Sequence, residues 1–181
     1  MRFKIEHFKS LDSTNTLVSQ YAREGRPEGT VVVADYQKFG RGRFGRKWYS
    51  KRNENLLFSV LVRPPVTAAK APMLTQIACR SVAKILKKHY RLHPTLKRPN
   101  DLLIKGKKIC GILVEASSSA GQLQSAVIGI GLNVGAAPQS LRKRSTSMFA
   151  ERGQQYRIQP LLKRILSQLR EDLAPLYAHT P

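Results

Sequence analysis

No apolar run in this chain is longer than a strand. The most extended, Leu56 to Val62, is far too short to cross a bilayer, and the others, Thr30 to Asp35, Leu102 to Ile104, Ile109 to Ala116 and Ser125 to Val134, have lengths typical of strands. Helical periodicity lies between and after them. Asp12-Ser13-Thr14-Asn15 offers several N-cap side chains, Leu17, Val18, Tyr21 and Ala22 then share one helical face, and Gly25, Pro27 and Gly29 end it. Met73, Leu74, Ile77, Ala78, Val82, Ile85 and Leu86 predict a long helix over roughly 70–90. Leu161, Leu162, Ile165, Leu166, Leu169 and Leu173 predict a closing helix behind Pro160. Phe3, Ile5 and Phe8 mark a first strand, the Lys105-Gly106-Lys107-Lys108 segment a tight hairpin, and Arg142 to Ser147 a basic loop. Strands joined by short turns, with a few helices between them, predict an α+β domain with a mainly antiparallel sheet covered by helices on one face.

At 181 residues the chain is expected to be one domain, with no internal repeat and no clear linker. Met1-Arg2-Phe3-Lys4-Ile5-Glu6 reaches charge at once and has no apolar stretch of the secretory kind, which predicts a cytoplasmic protein with no membrane segment. Cys79 and Cys110 lie in apolar segments without CxxC spacing and are expected to be buried thiols. The formal net charge of +21 calls for an anionic counterpart: nucleic acid, an acidic protein or an anionic small molecule.

Gly40-Arg41-Gly42-Arg43-Phe44-Gly45-Arg46-Lys47-Trp48 is the most unusual stretch. It spells G-x-G-x-x-G, yet no helix follows the glycines, and the position expected of a ribose-binding acid falls among Val62, Arg63 and Pro64. The Walker A pattern fails too, because Arg46-Lys47-Trp48 replaces Gly-Lys-Ser/Thr. What remains is a close-wrapping backbone with Arg41, Arg43 and Arg46 as forked donors for phosphate or carboxylate oxygens, or else a solvated basic turn of the RGG kind. Pro99 restricts the backbone just before Asn100 and Asp101, so these present a fixed amide and carboxylate at the head of a strand, unless they only close an Asx turn. Lys108 precedes the apolar run Ile109 to Val114, which would let its stem lie on the sheet and its ammonium face a cleft; Lys105 and Lys107 read as surface lysines. Gly129 and Gly131 weaken a strand unless something must approach it closely, and a ligand is one such reason. His89 and His93 have no acidic or cysteine companions, so no protein metal site is expected.

Taken together and in order, Ser13-Thr14-Asn15, the Gly40 to Trp48 loop, Pro99-Asn100-Asp101-Leu102, Lys108-Ile109-Cys110-Gly111-Ile112-Leu113-Val114-Glu115 and Gly129-Ile130-Gly131-Leu132-Asn133 resemble the catalytic domain of biotin protein ligases. The resemblance covers roughly 11–134, with a looser likeness through Tyr177. It implies the fold shared with lipoate ligases and class II synthetase cores. It also implies a two-step reaction, in which biotin and ATP give biotinyl-5'-adenylate and pyrophosphate, and a lysine of a biotin carboxyl carrier protein then takes the biotinyl group. Mg²⁺ would accompany the nucleotide. By position, Ser13, Thr14 and Gln37 would bind the ureido end of biotin, with Asn15, Arg41, Trp48 and Gly111 completing that pocket. Gly40, Arg41, Gly42, Arg43, Arg46, Asn100 and Asn133 would serve the nucleotide, Lys108 would contact carboxylate and phosphate, and Asp101 would orient the acceptor amine and help remove its proton. Arg98 stands where the family usually has tryptophan. Neither an N-terminal helix-turn-helix nor a C-terminal β-domain is evident, so no dedicated DNA-binding domain is expected, while family members often pair through the sheet and a homodimer is compatible. A lipoate ligase and a basic RNA-binding module are the competing readings.

Overall fold

The computed structural model describes residues 1–135 and 143–178. Its strands are β1 (Lys4–Phe8), β2 (Thr30–Ala34), β3 (Asn55–Val62), β4 (Thr95–Lys97), β5 (Asp101–Ile104), β6 (Lys107–Ser119) and β7 (Gln122–Asn133). The helices are α1 (Thr14–Arg23), α2 (Ala71–Tyr90), α3 (Met148–Arg152) and α4 (Ile158–Leu173). One sheet runs in the order β1-β2-β3-β7-β6-β5-β4, parallel only between β1 and β2 and antiparallel elsewhere. The expected α+β architecture with a mainly antiparallel sheet is the observed one.

Period-two alternation decides which side chain meets which layer. Val31, Val33, Leu56, Phe58, Val60, Ile128 and Ile130 point to the face packed by α2 and α4, where Leu74, Val82, Leu86, Leu162, Leu166 and Leu169 complete the main core. The opposite face is not bare, contrary to the expectation of a sheet covered on one side. Val18 and Tyr21 of α1 pack there against Val32, Leu61 and Val127. Amphipathic α1 has a narrow apolar stripe, so it covers only part of that face. Along the same strands the uncovered part changes to small and polar residues.

Three further differences have local causes. The β6–β7 hairpin extends to a tight turn at Ala120-Gly121, both with positive φ, because polar Ser117, Ser118 and Ser119 continue the ladder without an apolar signal. Strand β4 is a three-residue edge ending on Lys97, too short and too polar to announce itself. Helix α4 begins at Ile158, so Pro160 lies in its first turn, where the missing N–H costs no helical bond. Short α3 is capped by Ser147 Oγ, which accepts from the Ala150 N–H at 3.1 Å, and stops at Gly153. Of the basic segment, Arg142 lies outside the described residues. Among the described residues no helix is long and apolar enough to cross a membrane.

Candidate active site

The floor of the site is set by strand register. Ser59, Gly129 and Leu113 form one row across β3, β7 and β6; Leu57, Gly131, Gly111 and Asp101 form the next, reaching β5. The glycines make room for protein side chains. A Cβ on Gly131 would stand 2.6 Å from the Trp48 indole, one on Gly111 would stand 2.9 Å from Trp48 and from Lys108 Nζ, and one on Gly129 would collide with the Asn15 carboxamide. The close approach expected at Gly129 and Gly131 is thus made by Asn15 and Trp48 rather than by a ligand alone.

Around this floor the cleft is lined by Ser13, Thr14, Asn15, Gln37, Arg41, Gly42, Arg43, Arg46, Trp48, Asn100, Asp101, Lys108 and Gly111, which the sequence assigned to the site. At one end, the Thr14 backbone N–H and hydroxyl both donate to Gln37 Oε1, at 2.7 and 3.0 Å. Ser59 Oγ lies 2.7 Å from Thr14 Oγ1 and 2.6 Å from Asn15 Oδ1. Ser13 occupies the N-cap position of α1 in extended conformation, yet its hydroxyl makes no capping bond, which leaves it to face the cleft.

At the other end, Lys108 Nζ stands 2.7 Å from Asp101 Oδ1 and 5.2 Å from the centre of the Trp48 ring. The ion pair is close but too bent for a hydrogen bond, so Asp101 Oδ1 has no hydrogen-bond partner; neither has Trp48 Nε1. Both residues of the pair are fixed through the backbone around them. The Lys108 backbone N–H donates to the Arg144 carbonyl (3.0 Å), and the Lys108 carbonyl accepts from the Thr146 N–H (2.8 Å). Asn100 is tied to β6 at both ends rather than closing an Asx turn: its amide donates to the Ile112 carbonyl at 2.8 Å, and its own carbonyl accepts from the Ile112 N–H at 2.9 Å. Asp101 is therefore presented on a clamped backbone.

Several assigned residues are held by partners within the protein. The Arg41 guanidinium is bound to both Glu115 oxygens, at 2.9 and 2.7 Å, and Asn15 Nδ2 reaches Glu115 at 2.8 Å. Glu115 thus fastens the Gly/Arg loop and the start of α1 to β6. Asn133 is not among the cleft's lining residues. Its amide oxygen accepts from Asn55, and its nitrogen donates to the Thr146 and Lys108 carbonyls, so it braces the backbone behind Lys108. Gly40 packs beneath the Trp48 backbone, where a Cβ would come within 2.6 Å of the Trp48 carbonyl. Ser59 is not among the residues expected from the sequence, nor is the role of Glu115. A hydroxyl inside the otherwise apolar run Leu56 to Val62 is the available signal for Ser59, and a carboxylate ending an apolar run is that for Glu115.

Away from the cleft, Lys107 is exposed and Lys105 pairs with Glu151 at 3.3 Å, as surface lysines. Cys79 and Cys110 are free and buried, and burial pushes the Cys79 thiol up to about 12 and raises that of Cys110 as well. Among the described residues no group of three or more His, Cys, Asp or Glu could hold a metal ion.

A mainly antiparallel sheet with α2 and α4 on one face, and on the other α1 beside a cleft of oriented amides, hydroxyls, arginines and one lysine–aspartate pair, has the architecture of a biotin protein ligase catalytic domain. Residues 7–133 match the biotin/lipoate A/B protein ligase family, and the chain belongs to that family. Among curated relatives, the Bifunctional ligase/repressor BirA of Bacillus subtilis is 39% identical over 71% of this chain and 39% of its own length. The Biotin--[acetyl-CoA-carboxylase] ligase of Paracoccus denitrificans is 35% identical over 70% of this chain and 53% of its own. The chain thus spans about two-fifths to one-half of the length of these relatives. Among solved structures, biotin protein ligase from Aquifex aeolicus in complex with biotin and ATP superposes with a TM-score of 0.81 at 29% identity, covering 98% of this chain and 73% of that one. Biotin protein ligase from Leishmania major in complex with biotinyl-5-AMP gives a TM-score of 0.73 at 27% identity, covering 97% and 76%.

Proposed function

We propose that the chain activates biotin with ATP as biotinyl-5'-adenylate and transfers the biotinyl group to a lysine of a biotin carboxyl carrier protein. The observation that carries this reading is the juxtaposition of Lys108, Asp101 and Trp48 over the glycine floor, between the Thr14–Gln37 cluster and the Arg43 loop. In the first step a carboxylate oxygen attacks the α-phosphorus and pyrophosphate leaves. Both reactants are anionic, so fixed cations are the main requirement, and Lys108, Arg43 and Arg46 supply them without rearranging the sheet. Asp101 is the one carboxylate among the described lining residues. With so few carboxylate oxygens available, Mg²⁺ would arrive on the triphosphate and neutralise part of its charge there.

In the second step the acceptor amine forms a C–N bond, the carbonyl carbon's bond to the phosphate oxygen breaks, AMP leaves with the electron pair, and the amine's protons must go elsewhere. A free lysine has a pKa of about 10.4, so a carboxylate next to the incoming nitrogen is useful. Asp101 fills that role once Lys108 turns to the phosphate, because its Oδ1 holds no other hydrogen bond. Ser13, Thr14, Asn15 and Gln37 suit the ureido group, which needs both donors and acceptors at fixed angles. Arg41 and Asn133 act by positioning, the first through Glu115 and the second through the Lys108 backbone.

The test is ATP–pyrophosphate exchange with biotin and with lipoate supplied separately to the intact chain. Biotin-dependent exchange is expected. Exchange with lipoate alone would assign the lipoate branch, and no exchange with either from folded protein would overturn the reading.

A further inference from the structure

Beside the cleft runs a second groove, between the start of α2 and the outer side of β6. The two share Arg43, Asn100, Ile112 and Leu113, so the groove adjoins the cleft that holds the Lys108–Asp101 pair. Three arginines line it: Arg43 from the Gly/Arg loop, Arg80 from α2 and Arg98 from the turn before β5. No Asp or Glu is among its described lining residues, and Asn55–Asn100, which contributes both Arg80 and Arg98, contains no acidic residue at all. Arg80 and Arg98 are exposed and take part in no ion pair among the described residues. Exposed Phe44 (84%) and Met73 (43%) complete the wall.

Arginine, aromatic and methionine side chains together are the composition of a protein-binding patch, and within such a patch the guanidiniums of Arg80 and Arg98 suit carboxylates of a docked protein segment. We infer that this groove docks an acidic segment of the acceptor protein, with Arg80 and Arg98 binding carboxylates that flank the target lysine and thereby delivering its amine to Asp101. The inference rests on the ligase reading and deepens it. Arg98, which stands where the resemblance leads one to expect tryptophan, becomes a specificity determinant. Part of the +21 charge thereby acquires a partner.

The experiment uses Arg80→Glu/Arg98→Glu and Arg80→Lys/Arg98→Lys variants of the full chain, with a purified biotin carboxyl carrier domain bearing acidic residues beside its target lysine. Biotin-dependent pyrophosphate release in single turnover reads the first step, and biotin incorporation into the carrier reads the second. The reversed pair should transfer roughly tenfold to a hundredfold more slowly in kcat/KM while releasing pyrophosphate as the parent does, and the lysine pair should keep most of the transfer. A carrier whose flanking acids are changed to lysine should reverse the order of parent and reversed variant. Undiminished transfer by the glutamate pair overturns the docking assignment, as does an equal loss of pyrophosphate release, which would put these arginines in the small-molecule site. Absence of biotin-dependent pyrophosphate release from the parent would instead overturn the ligase reading itself.

Discussion

The two faces of β3 and β7 are built from alternate residues of the same strands, yet they do opposite things. Phe58, Val60, Ile128 and Ile130 face α2 and α4 as large apolar side chains with almost no exposure. Ser59, Gly129 and Gly131, each next to one of them in sequence, face the cleft and carry a hydroxyl or nothing. One face stabilises by burying area along its whole length; the other does so only where Leu61 and Val127 meet α1, and at Ser59, Gly129 and Gly131 it gives up that stabilisation to let Asn15 and Trp48 lie against the backbone. Because neighbours in a strand point to opposite sides, the rigid core fixes the cleft floor directly beneath it. A site placed this way is preorganised by the fold rather than by the ligand.

The largest expected effects come from breaking each face separately. Ile128→Ala should lower stability by about 2–5 kcal/mol through lost burial and a cavity, seen as a large fall in Tm, with activity retained in the molecules still folded. Gly131→Ala should do the reverse. Its Cβ meets the movable Trp48 ring rather than backbone, so Tm should change little while biotin-dependent pyrophosphate release falls at least about tenfold. Similar Tm losses for both would show that the cleft face is part of the core.

A smaller effect separates neighbours on β6. Lys108→Ala removes a cation facing Asp101 and Trp48, so single-turnover pyrophosphate release should drop by about 1.5–3 kcal/mol, or roughly tenfold to a hundredfold. Lys107→Ala removes an exposed one and should be nearly silent. Equal losses would place the wrong lysine in the site.

The smallest effect lies in the core layer, far from the cleft. Asp172 on α4 accepts from Ser81 (2.8 Å) and Lys84 (2.5 Å) on α2 and from Gln168 (3.1 Å). Burial alone would raise its carboxyl, but the bonds from Lys84, Ser81 and Gln168 outweigh it and hold the group below the usual carboxylate range. A lowered folded value means that the carboxylate stabilises above the unfolded pKa of about 3.9, and that this contribution disappears as pH falls through the folded value. Asp172→Asn should therefore be less stable than the parent at pH 7 by about 1 kcal/mol, with the gap closing below about pH 4 in urea titrations. A gap independent of pH would show that the α2–α4 contact does not depend on this charge.

Much of this was legible in the sequence, and the limits are physical. The long amphipathic α2 and the apolar strands announce themselves because burial is a property of each segment. The Gly/Arg loop, Asn100-Asp101 and Lys108 were each visible as anomalies: glycine beside arginine, a rare acid after proline, a lysine heading an apolar run. What the glycines of β7 accommodate was not visible, because Asn15 and Trp48 come from distant segments and only tertiary register brings them there. The commitment of Arg41 to Glu115 and of Asn133 to the Lys108 backbone was hidden for the same reason: donors suited to a phosphate are equally suited to a carboxylate or carbonyl of the protein itself.

Trp48 is the single tryptophan of the chain and lies on the glycine floor beneath Lys108. Its intrinsic fluorescence therefore reports on the cleft alone. Titrating biotin into the intact protein should change that emission saturably, with the midpoint found by calorimetry, and adding ATP should shift it again as the adenylate forms. Biotin that binds calorimetrically while Trp48 emission stays constant, or that does not bind the folded chain at all, would contradict the placement of the site on this face of the sheet.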